Sequence, residues 1–518
     1  MKVNVLEYLE ETREKIPGKT AFIDAVGSVD FTELVNKGKS LGCYIQRMLG
    51  GKRGCPVMVL VNRNISSIIS FLGVLYSGNF YVPIDNQTPE TRLNSIATSL
   101  LPAAYIVPPG DEKVTICQEK LNSHCVEIAY EEAIKEKVDD GLLENIRAAS
   151  IDTDPVYVMF TSGSTGIPKG VTITHRGIID LMEWLKETFG FSETDIIGNQ
   201  TPFYFDASVK DIYTCFRTGA TVDIIPKNLF AMPVRLVQHL NERKINTIMW
   251  ATSAIKLLAN LDVFKEIKPE YLCRIVFAGE NMPGKQYNVW KRAVPKGRFY
   301  NLYGPTEITV DCTWYEVDRE FSDNESIPIG KTCRNMEILL LDEAGNPVKD
   351  EEVGEIYIRG TGVAPGYYNN PLQTESAFVQ NPLHNSYPEK VYRSGDMARY
   401  NRYGELIFVA RGDKQIKHLG NRIELGEIET AVNSLPGIEE AICFYDSLRE
   451  RIVLAYKGKD ITRADIVRGI RNKIPRYMIP GKMYSMESMP ETANGKIDRK
   501  KIEEEFLNGK DREFNSIE

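Results

Sequence analysis

The sequence predicts an α/β protein in which a large domain of layered sheets and helices precedes a smaller α+β domain. Up to about residue 400, apolar runs of strand length alternate with amphipathic runs of helical length. Such alternation is typical of layered structures with largely parallel sheets. Farther along, the pattern changes to short mixed elements over about a hundred residues, the size of a separate small domain. The predicted domains are therefore residues 1–411 and 412–518.

Each predicted element follows from a local pattern of apolar residues. Strand-like runs in the first domain include 56–61, 156–160 and 274–278, and helix-like runs include 66–76 and 236–243. In the second domain the predicted helices are 423–435 and 463–473, and the predicted strands are 441–445 and 452–456. The charged tail from residue 504 onward is expected to fray.

Composition limits the function before any motif is considered. The chain has 518 residues, enough for roughly three or four folding units. It is 42% hydrophobic and 26% charged, and no apolar run approaches the roughly 18 residues of a membrane span. A net charge of -8 argues against nucleic acid as the main partner. Dispersed cysteines and a start without a signal sequence indicate a reduced, cytoplasmic protein.

A loop rich in glycines and hydroxyls follows the strand-like run 156–160. Consecutive backbone N–H groups in such a loop form an anion-binding nest, and glycines let the backbone approach the ligand. Hydroxyls and a lysine add hydrogen bonds and charge, which together suit a polyphosphate. It is not a Walker loop, because Lys169 is followed by Gly170. The predicted phosphate-binding residues are Thr161, Ser162, Gly163, Ser164, Thr165, Gly166 and Lys169.

The string 161–170 resembles the signature loop of the adenylate-forming superfamily, which includes acyl-CoA synthetases, luciferases and the adenylation domains of nonribosomal peptide synthetases. Further motifs of that superfamily stand in the same order along essentially the whole chain, and as a set they are highly specific. They are Gly78–Asp85, Phe205–Ser208, Asn301–Glu307, Gly354–Gly360, Tyr392–Asp396, Arg411–Gln415, Asn421–Glu429, Pro475–Pro480 and Asn494–Asp498. The first and second of these are similar to the amino-acid-activating branch.

The resemblance implies that the chain uses ATP with Mg²⁺. Tyr303 offers a flat face on which adenine can stack, and Asp396 is placed to accept both ribose hydroxyls. Glu307 supplies an oxygen ligand of the kind that Mg²⁺ prefers. The implied adenine and ribose contacts are Asn301, Leu302, Tyr303, Gly304, Asp396 and Arg411, with Thr306 at the α-phosphate.

The resemblance also assigns the catalytic lysine. In the family, a substrate carboxylate attacks the α-phosphorus of ATP in line, and Lys496 corresponds to the mobile lysine that stabilises the meeting anions. Asp413 matches the family hinge, about which the small domain swings after adenylation. That movement would withdraw Lys496 and bring residues 417–420 toward the site for thioester formation.

Asp206 points to an amino acid as the substrate, because family members with an aspartate here pair it with the α-ammonium group. The implied amino-acid pocket consists of Asp206, Ala207, Lys210, Met249, Val276, Ala278, Leu302, Val310 and Asp311. Lys210 is unusual in such a pocket and suggests an acidic side chain, with L-glutamate as the specific prediction. The alternative is that Lys210 pairs internally with Asp311, which leaves a polar or aliphatic pocket.

The function implied is amino acid adenylation followed by transfer to the phosphopantetheine thiol of a carrier protein in trans, with the chain either stand-alone or part of a larger synthetase. A D-alanine–carrier protein ligase and an acyl-CoA synthetase are the alternatives, and a nucleotide-binding module without activity is a fourth. The chain departs from the usual pattern at Leu419, Ala410 and Gly177, where arginine, glycine and asparagine are usual. Leu419 bears on thioester formation, since it lies in the hairpin before Gly420.

Overall fold

The structure is a computed structural model that describes residues 2–109, 125–162, 168–411, 415–459, 461–490 and 497–507. It divides into two compact units. The large unit comprises Met1–Asn86, Leu100–Met159 and Gly170–Gly412. The small unit comprises Gln87–Ser99, Phe160–Lys169 and Asp413–Glu518. Two segments from the first half of the chain thus belong to the small unit, which no local sequence pattern indicates.

The strands alternate with helices along most of the chain. The strands are β1 (Thr20–Ile23), β2 (Ser28–Asp30), β3 (Pro56–Val61), β4 (Phe80–Asp85), β5 (Ala104–Ile106), β6 (Val126–Ile128), β7 (Pro155–Thr161), β8 (Lys169–Thr174), β9 (Ile196–Asn199), β10 (Thr221–Ile224), β11 (Thr247–Ala251), β12 (Arg274–Ala278), β13 (Arg298–Tyr303), β14 (Thr313–Glu316), β15 (Lys331–Thr332), β16 (Met336–Leu341), β17 (Gly354–Gly360), β18 (Phe378–Gln380), β19 (Lys390–Tyr400), β20 (Leu406–Arg411), β21 (Gln415–His418), β22 (Asn421–Glu424), β23 (Ile438–Asp446), β24 (Arg451–Gly458) and β25 (Lys482–Ser485).

The helices cover the faces of these sheets. They are α1 (Leu6–Lys15), α2 (Phe31–Met48), α3 (Ile65–Tyr76), α4 (Glu90–Leu100), α5 (Tyr130–Ala133), α6 (Asp140–Ala148), α7 (His175–Phe189), α8 (Ser208–Thr218), α9 (Pro233–Glu242), α10 (Thr252–Asn260), α11 (Gly284–Ala293), α12 (Pro371–Ala377), α13 (Leu425–Asn433), α14 (Arg463–Ile470) and α15 (Arg499–Leu507). None of the helices in the described ranges is long and apolar enough to cross a membrane.

Three sheets build the large unit. A nine-stranded sheet has the order β15-β14-β13-β12-β11-β9-β10-β1-β2, in which β1 and β9 to β13 run parallel. A six-stranded sheet has the order β6-β5-β3-β4-β7-β8. A five-stranded antiparallel sheet contains β16 to β20. This mixed architecture confirms the predicted α/β fold class.

Buried apolar runs explain why the central elements form. Every residue of β3 is buried, as expected of a parallel strand covered on both faces. The following helix α3 is buried along nearly its whole length, and it is capped by Asn64, whose side chain accepts a hydrogen bond from the backbone N–H of Ser67. Helices α2 and α3 approach closely, since a Cβ on Gly73 would lie 2.4 Å from Leu41. These elements form part of the main hydrophobic core.

The small unit has its own core around the sheet β23-β24-β25 and the helices α13 and α14. Thr462 and Asp465 form a capping box that begins α14. Helix α4, from the first half of the chain, joins this unit through a buried ion pair between Arg92 and Glu427 on α13. Burial raises the pKa of Glu427, and the Arg92 guanidinium opposes that shift.

Candidate active site

Four residues of the implied side-chain pocket lie on neighbouring parallel strands of the nine-stranded sheet. Met249 on β11 is in register with Val276 on β12, and Ala278 on β12 is in register with Leu302 on β13. Because alternate residues of a strand face the same side, Val276 and Ala278 share one face of the sheet. Ligands of open α/β sheets bind at the carboxyl ends of the strands. The strand register therefore places four of the implied pocket residues side by side.

A buried ion pair joins two other residues of the implied pocket. The Lys210 Nζ of α8 lies 2.9 Å from Asp311 Oδ2, and the two side chains are only 3% and 2% exposed. Asp311 follows Val310 in the turn after Thr306–Ile308. The pair links residues that are 101 positions apart. It matches the alternative in which Lys210 is neutralised internally, and it removes the main argument for a glutamate substrate.

Asp206 lies just before α8, next to Ala207, which stands at the N-cap position of that helix. Burial raises the pKa of Asp206, while a hydrogen bond from the Thr306 side chain and the charge of Lys210 act in the opposite direction. A carboxylate that burial has made costly to ionise gains from a cationic partner. The structure thus brings Asp206, Thr306 and the Lys210–Asp311 pair together in one cluster.

Three of the implied adenine and ribose contacts lie together in the structure, namely Tyr303, Asp396 and Arg411. The Tyr303 hydroxyl donates to Asp396 Oδ2 over 2.6 Å, and Arg411 Nη1 donates to Asp396 Oδ1 over 2.7 Å. Arg411 Nη2 also donates to the backbone carbonyl of Ser394 over 3.1 Å. Burial raises the pKa of Tyr303 well above its usual value, and the Asp396 charge adds to that shift. Asp396 is therefore an acceptor held by two donors from separate strands.

Asn301 has a structural role that the sequence did not indicate. Its side chain is buried, and its Nδ2 donates to the backbone carbonyls of Ile327 and Pro328 over 3.3 and 2.8 Å. Both amide hydrogens are thus directed to the backbone that leads toward β15. Contact between Asn301 and adenine stays a prediction, as does that of Leu302 and Gly304 in the same motif.

Glu307 is fully buried and accepts a hydrogen bond from the Tyr367 hydroxyl over 2.8 Å. Tyr367 was not predicted, because 60 residues separate it from Glu307 and no local pattern links them. Within the described residues, no group of three metal-ligating side chains forms. One carboxylate fits Mg²⁺ all the same, since Mg²⁺ is commonly held by one or two carboxylates together with substrate phosphates.

The phosphate loop is only partly described. Residues 163–167, which include the predicted Gly163, Ser164, Thr165 and Gly166, lie outside the described residues. The Ser162 hydroxyl donates to the backbone carbonyl of Arg422 over 2.9 Å and accepts from the N–H of Glu424 over 3.2 Å. The Thr161 hydroxyl is buried, and the described residues supply it with no hydrogen-bond partner. Such an orphaned donor at the head of the loop is consistent with an anion site.

Lys496 and Asp413 also lie outside the described residues, so their catalytic and hinge roles stay predictions. The hairpin of β21 and β22 is described, and its two-residue tip is Leu419-Gly420 with φ of 52° and 77°. Two positive φ values are typical of a tight hairpin turn of type I′. Leu419 is 61% exposed at this tip. The residue that replaces the usual arginine thus lies on the surface of the small unit.

Comparison with known proteins identifies the family that this arrangement belongs to. The AMP-binding enzyme family matches residues 9–368, and the C-terminal domain of AMP-binding enzymes matches residues 427–496. The chain belongs to the AMP-binding enzyme family. As a member it is an ATP-dependent, AMP-forming ligase of the nonribosomal adenylation or D-alanine–carrier protein ligase type.

Relatives of both types match nearly the whole chain. The D-alanine–D-alanyl carrier protein ligase of Bacillus licheniformis is 31% identical over 525 residues, covering 97% of this chain and 99% of the relative. A mycosubtilin synthase of Bacillus subtilis is 31% identical over 515 residues, covering 96% of this chain, and this chain spans only 19% of that relative. Holo-PA1221, solved as an NRPS protein containing adenylation and PCP domains, has a TM-score of 0.79 and 25% identity, covering 96% of this chain and 84% of that chain.

Proposed function

We propose that this AMP-binding enzyme activates an amino acid with ATP to aminoacyl-AMP and pyrophosphate, and then transfers the aminoacyl group to the phosphopantetheine thiol of a carrier protein. The observation that carries the proposal is the position of Asp206 beside Thr306 and the buried Lys210–Asp311 pair. A carboxylate in such a place suits the α-ammonium group of an amino acid. A carboxylic acid without that amine would bring no cation to offset the burial of Asp206, so the site would reject it.

The proposed chemistry has two steps. A carboxylate oxygen of the amino acid attacks the α-phosphorus of ATP, and the bond to the leaving pyrophosphate breaks. The thiolate of the carrier then attacks the carbonyl carbon, and AMP leaves with the bridging oxygen. In the first step Asp206 orients the amine and Lys496 stabilises charge on the meeting anions. Mg²⁺ bound near Glu307 would supply further charge neutralisation on the phosphates.

The ion pair supports an uncharged side chain for the substrate. Since Asp311 neutralises Lys210 at 2.9 Å, the pocket offers no unpaired cation from that residue to an acidic side chain. Three other residues of the implied pocket are buried and apolar, namely Met249, Val276 and Leu302. We therefore favour a small or medium aliphatic or polar amino acid over glutamate.

A D-alanine–carrier protein ligase is the second candidate. An unpaired Lys210 would disfavour a methyl side chain, and the pair with Asp311 removes that objection. The 31% identity to the Bacillus licheniformis ligase over 97% of this chain supports the same candidate. A nonribosomal adenylation function has equal support from relatives in which this chain corresponds to one part of a longer synthetase.

Amino-acid-dependent exchange of pyrophosphate into ATP tests the proposal. The purified chain would be assayed with the twenty standard amino acids, D-alanine, and propionate as an analogue of alanine without the amine. We expect exchange with one or a few amino acids and none with propionate. Exchange with D-alanine above all others would select the ligase candidate. Exchange with carboxylic acids that lack an amine, or none with any acid, would refute the proposal.

Lys496→Ala tests the role of the lysine in the same assay. We expect exchange to fall by about two orders of magnitude or more while ATP binding is largely kept, because the lysine acts mainly in the transition state. Lys501→Ala, which alters another lysine of the same charged segment, serves as the matched control. Near-normal exchange by Lys496→Ala would defeat the assignment.

A further inference from the structure

The turn that carries two of the implied pocket residues has an unusual backbone. Thr309 and Val310 have φ of 62° and 77°, and they are consecutive and β-branched. Positive φ is a genuine outlier for β-branched residues, and it persists only where the surroundings over-determine it. Asp311, the partner of buried Lys210, comes next in the chain. The strained backbone thus lies directly beside the residues expected to shape the pocket.

Contacts on two sides hold the turn in this conformation. The Thr309 hydroxyl donates to the backbone carbonyl of Gly362 over 2.7 Å, and the Thr309 N–H donates to the carbonyl of Thr306 over 3.3 Å. A Cβ on Gly304 would lie 2.4 Å from the carbonyl oxygen of Val310, so the turn closes against its own start. The fold therefore leaves the turn little freedom on these sides.

Gly177 of α7 packs against the turn on a third side, at Thr309. A Cβ built on Gly177 would lie 2.6 Å from the Thr309 hydroxyl oxygen, 3.3 Å from its Cγ2 and 3.4 Å from its Cβ. The first distance is far below ordinary van der Waals contact, so Thr309 can take its place only because residue 177 has no side chain. Any larger residue would displace the turn that continues to Val310 and Asp311.

The space around this contact is not completely filled. A small cavity adjoins the contact and is lined in part by Gly177, Ile308, Thr309 and Asp311. The same turn also begins with Thr306, whose side chain bonds to Asp206. A shift of Thr309 would therefore alter the pocket wall at Val310 and Asp311, while the cluster of Tyr303, Asp396 and Arg411 keeps its own contacts.

We propose that Gly177 is a positioning residue that determines which amino acid side chain the enzyme accepts. Because residue 177 has no side chain, Thr309 can pack against it, and the position of Thr309 in turn fixes Val310 and the Lys210–Asp311 pair. Gly177 itself contacts no reacting group. This inference rests on the proposed amino acid adenylation. The main effect of Gly177 is expected on recognition of the side chain at Val310 and Asp311, so the KM for the amino acid should respond much more strongly than the KM for ATP, whose phosphates the same turn is predicted to contact at Thr306.

Gly177→Ala tests this inference in the pyrophosphate exchange assay with the preferred amino acid and its neighbours in size. We expect the KM for the amino acid to rise about tenfold, the ranking of amino acids to change, and kcat and the KM for ATP to stay within about twofold. Adding Thr309→Ala should recover part of the loss, because the nearest remaining atom of residue 309 would be a Cβ at 3.4 Å, although the hydrogen bond to Gly362 is lost with the hydroxyl. Gly141→Ala in α6, where the nearest contact is 3.5 Å, is the matched control.

Thr309→Val changes the other residue of the Gly177–Thr309 contact. It serves as the test if Gly177→Ala does not fold. It keeps the volume but removes the hydrogen bond to Gly362, and we expect the KM for the amino acid to rise with little change in the KM for ATP. Unchanged amino acid KM and ranking in Gly177→Ala, or in Thr309→Val if the former is unfolded, would overturn the inference. An equal rise in both KM values would do the same. Absence of exchange in the wild-type enzyme would instead refute the proposed function, and the inference with it.

Discussion

Replacing Asp311 with asparagine separates the two interpretations of Lys210. The change keeps the shape of the side chain but leaves the Lys210 ammonium buried without its anion at 2.9 Å. Breaking a buried ion pair by removing one partner costs about 3–5 kcal/mol of folding stability. We therefore expect Asp311→Asn to lower the free energy of unfolding by an amount of that order, measured by urea denaturation.

The same substitution should change the substrate preference. With Asp311 gone, Lys210 becomes available to an acidic side chain, and pairing a buried charge is worth about 2–3 kcal/mol. That corresponds to an increase of roughly 30- to 150-fold in kcat/KM for glutamate relative to the preferred amino acid. Pyrophosphate exchange with glutamate and with the preferred substrate, in both proteins, measures the change.

A matched control distinguishes loss of stability from change of specificity. Asp195→Asn breaks the ion pair between Asp195 and Arg274. In that pair Arg274 Nη1 lies 3.0 Å from Asp195 Oδ1, and the side chains of Arg274 and Asp195 are 13% and 8% exposed. It should lower stability and leave the ranking of amino acids unchanged. If Asp311→Asn is as stable as the wild type and shows the same ranking, the pair does not neutralise Lys210 and the reasoning is wrong.

Three further changes test other parts of the structure. Burial raises the pKa of Asp211 to about 7, so the folded chain holds a proton that the unfolded chain releases above about pH 4. Stability should therefore fall as pH rises from about 4 to 7, by at most about 4 kcal/mol, and Asp211→Asn should flatten that fall in urea denaturation. Asp206→Asn should reduce kcat/KM for the amino acid by about a hundredfold or more, in pyrophosphate exchange, with the KM for ATP kept. Tyr303→Phe, which removes the hydrogen bond to Asp396, should raise the KM for ATP by about fivefold and leave the KM for the amino acid unchanged.

Each of these three predictions has an outcome that would contradict it. An equal loss of stability between pH 4 and 7 in Asp211→Asn would assign the titration to another group. Full activity of Asp206→Asn would show that Asp206 does not bind the α-ammonium group of the substrate. A rise in the KM for the amino acid in Tyr303→Phe, with the KM for ATP unchanged, would show that Tyr303 serves amino acid binding and not ATP binding.

Local sequence patterns predicted much of the fold. The strands at 56–61 and 274–278 have the predicted limits in the structure, because apolar residues fill nearly every position of a short run. The predicted helix at 423–435 was wrong at its start, since Asn421–Glu424 is a strand and α13 begins at Leu425. The turn at Leu419-Gly420 that creates this strand has a leucine at positive φ, which is not a usual turn signal.

The candidate site was only partly predictable for a different reason. Its individual residues stand in motifs, and the resemblance supplied their roles. Their partners come from distant positions: Asp311 lies 101 residues from Lys210, and Tyr367 lies 60 residues from Glu307. Tertiary packing brings such groups together, and no local period reports it. The sequence left the Lys210–Asp311 pair as one of two alternatives, and the folded chain decided between them.

The central claim is that a substrate carboxylate attacks the α-phosphorus of ATP in this enzyme. Its most direct test uses an amino acid with oxygen-18 in both carboxylate oxygens, selected by the exchange assay, with hydroxylamine to cleave the product at the carbonyl carbon. AMP should then carry one oxygen-18 atom, read by mass spectrometry. Unlabelled AMP, or release of ADP with labelled phosphate, would contradict the account.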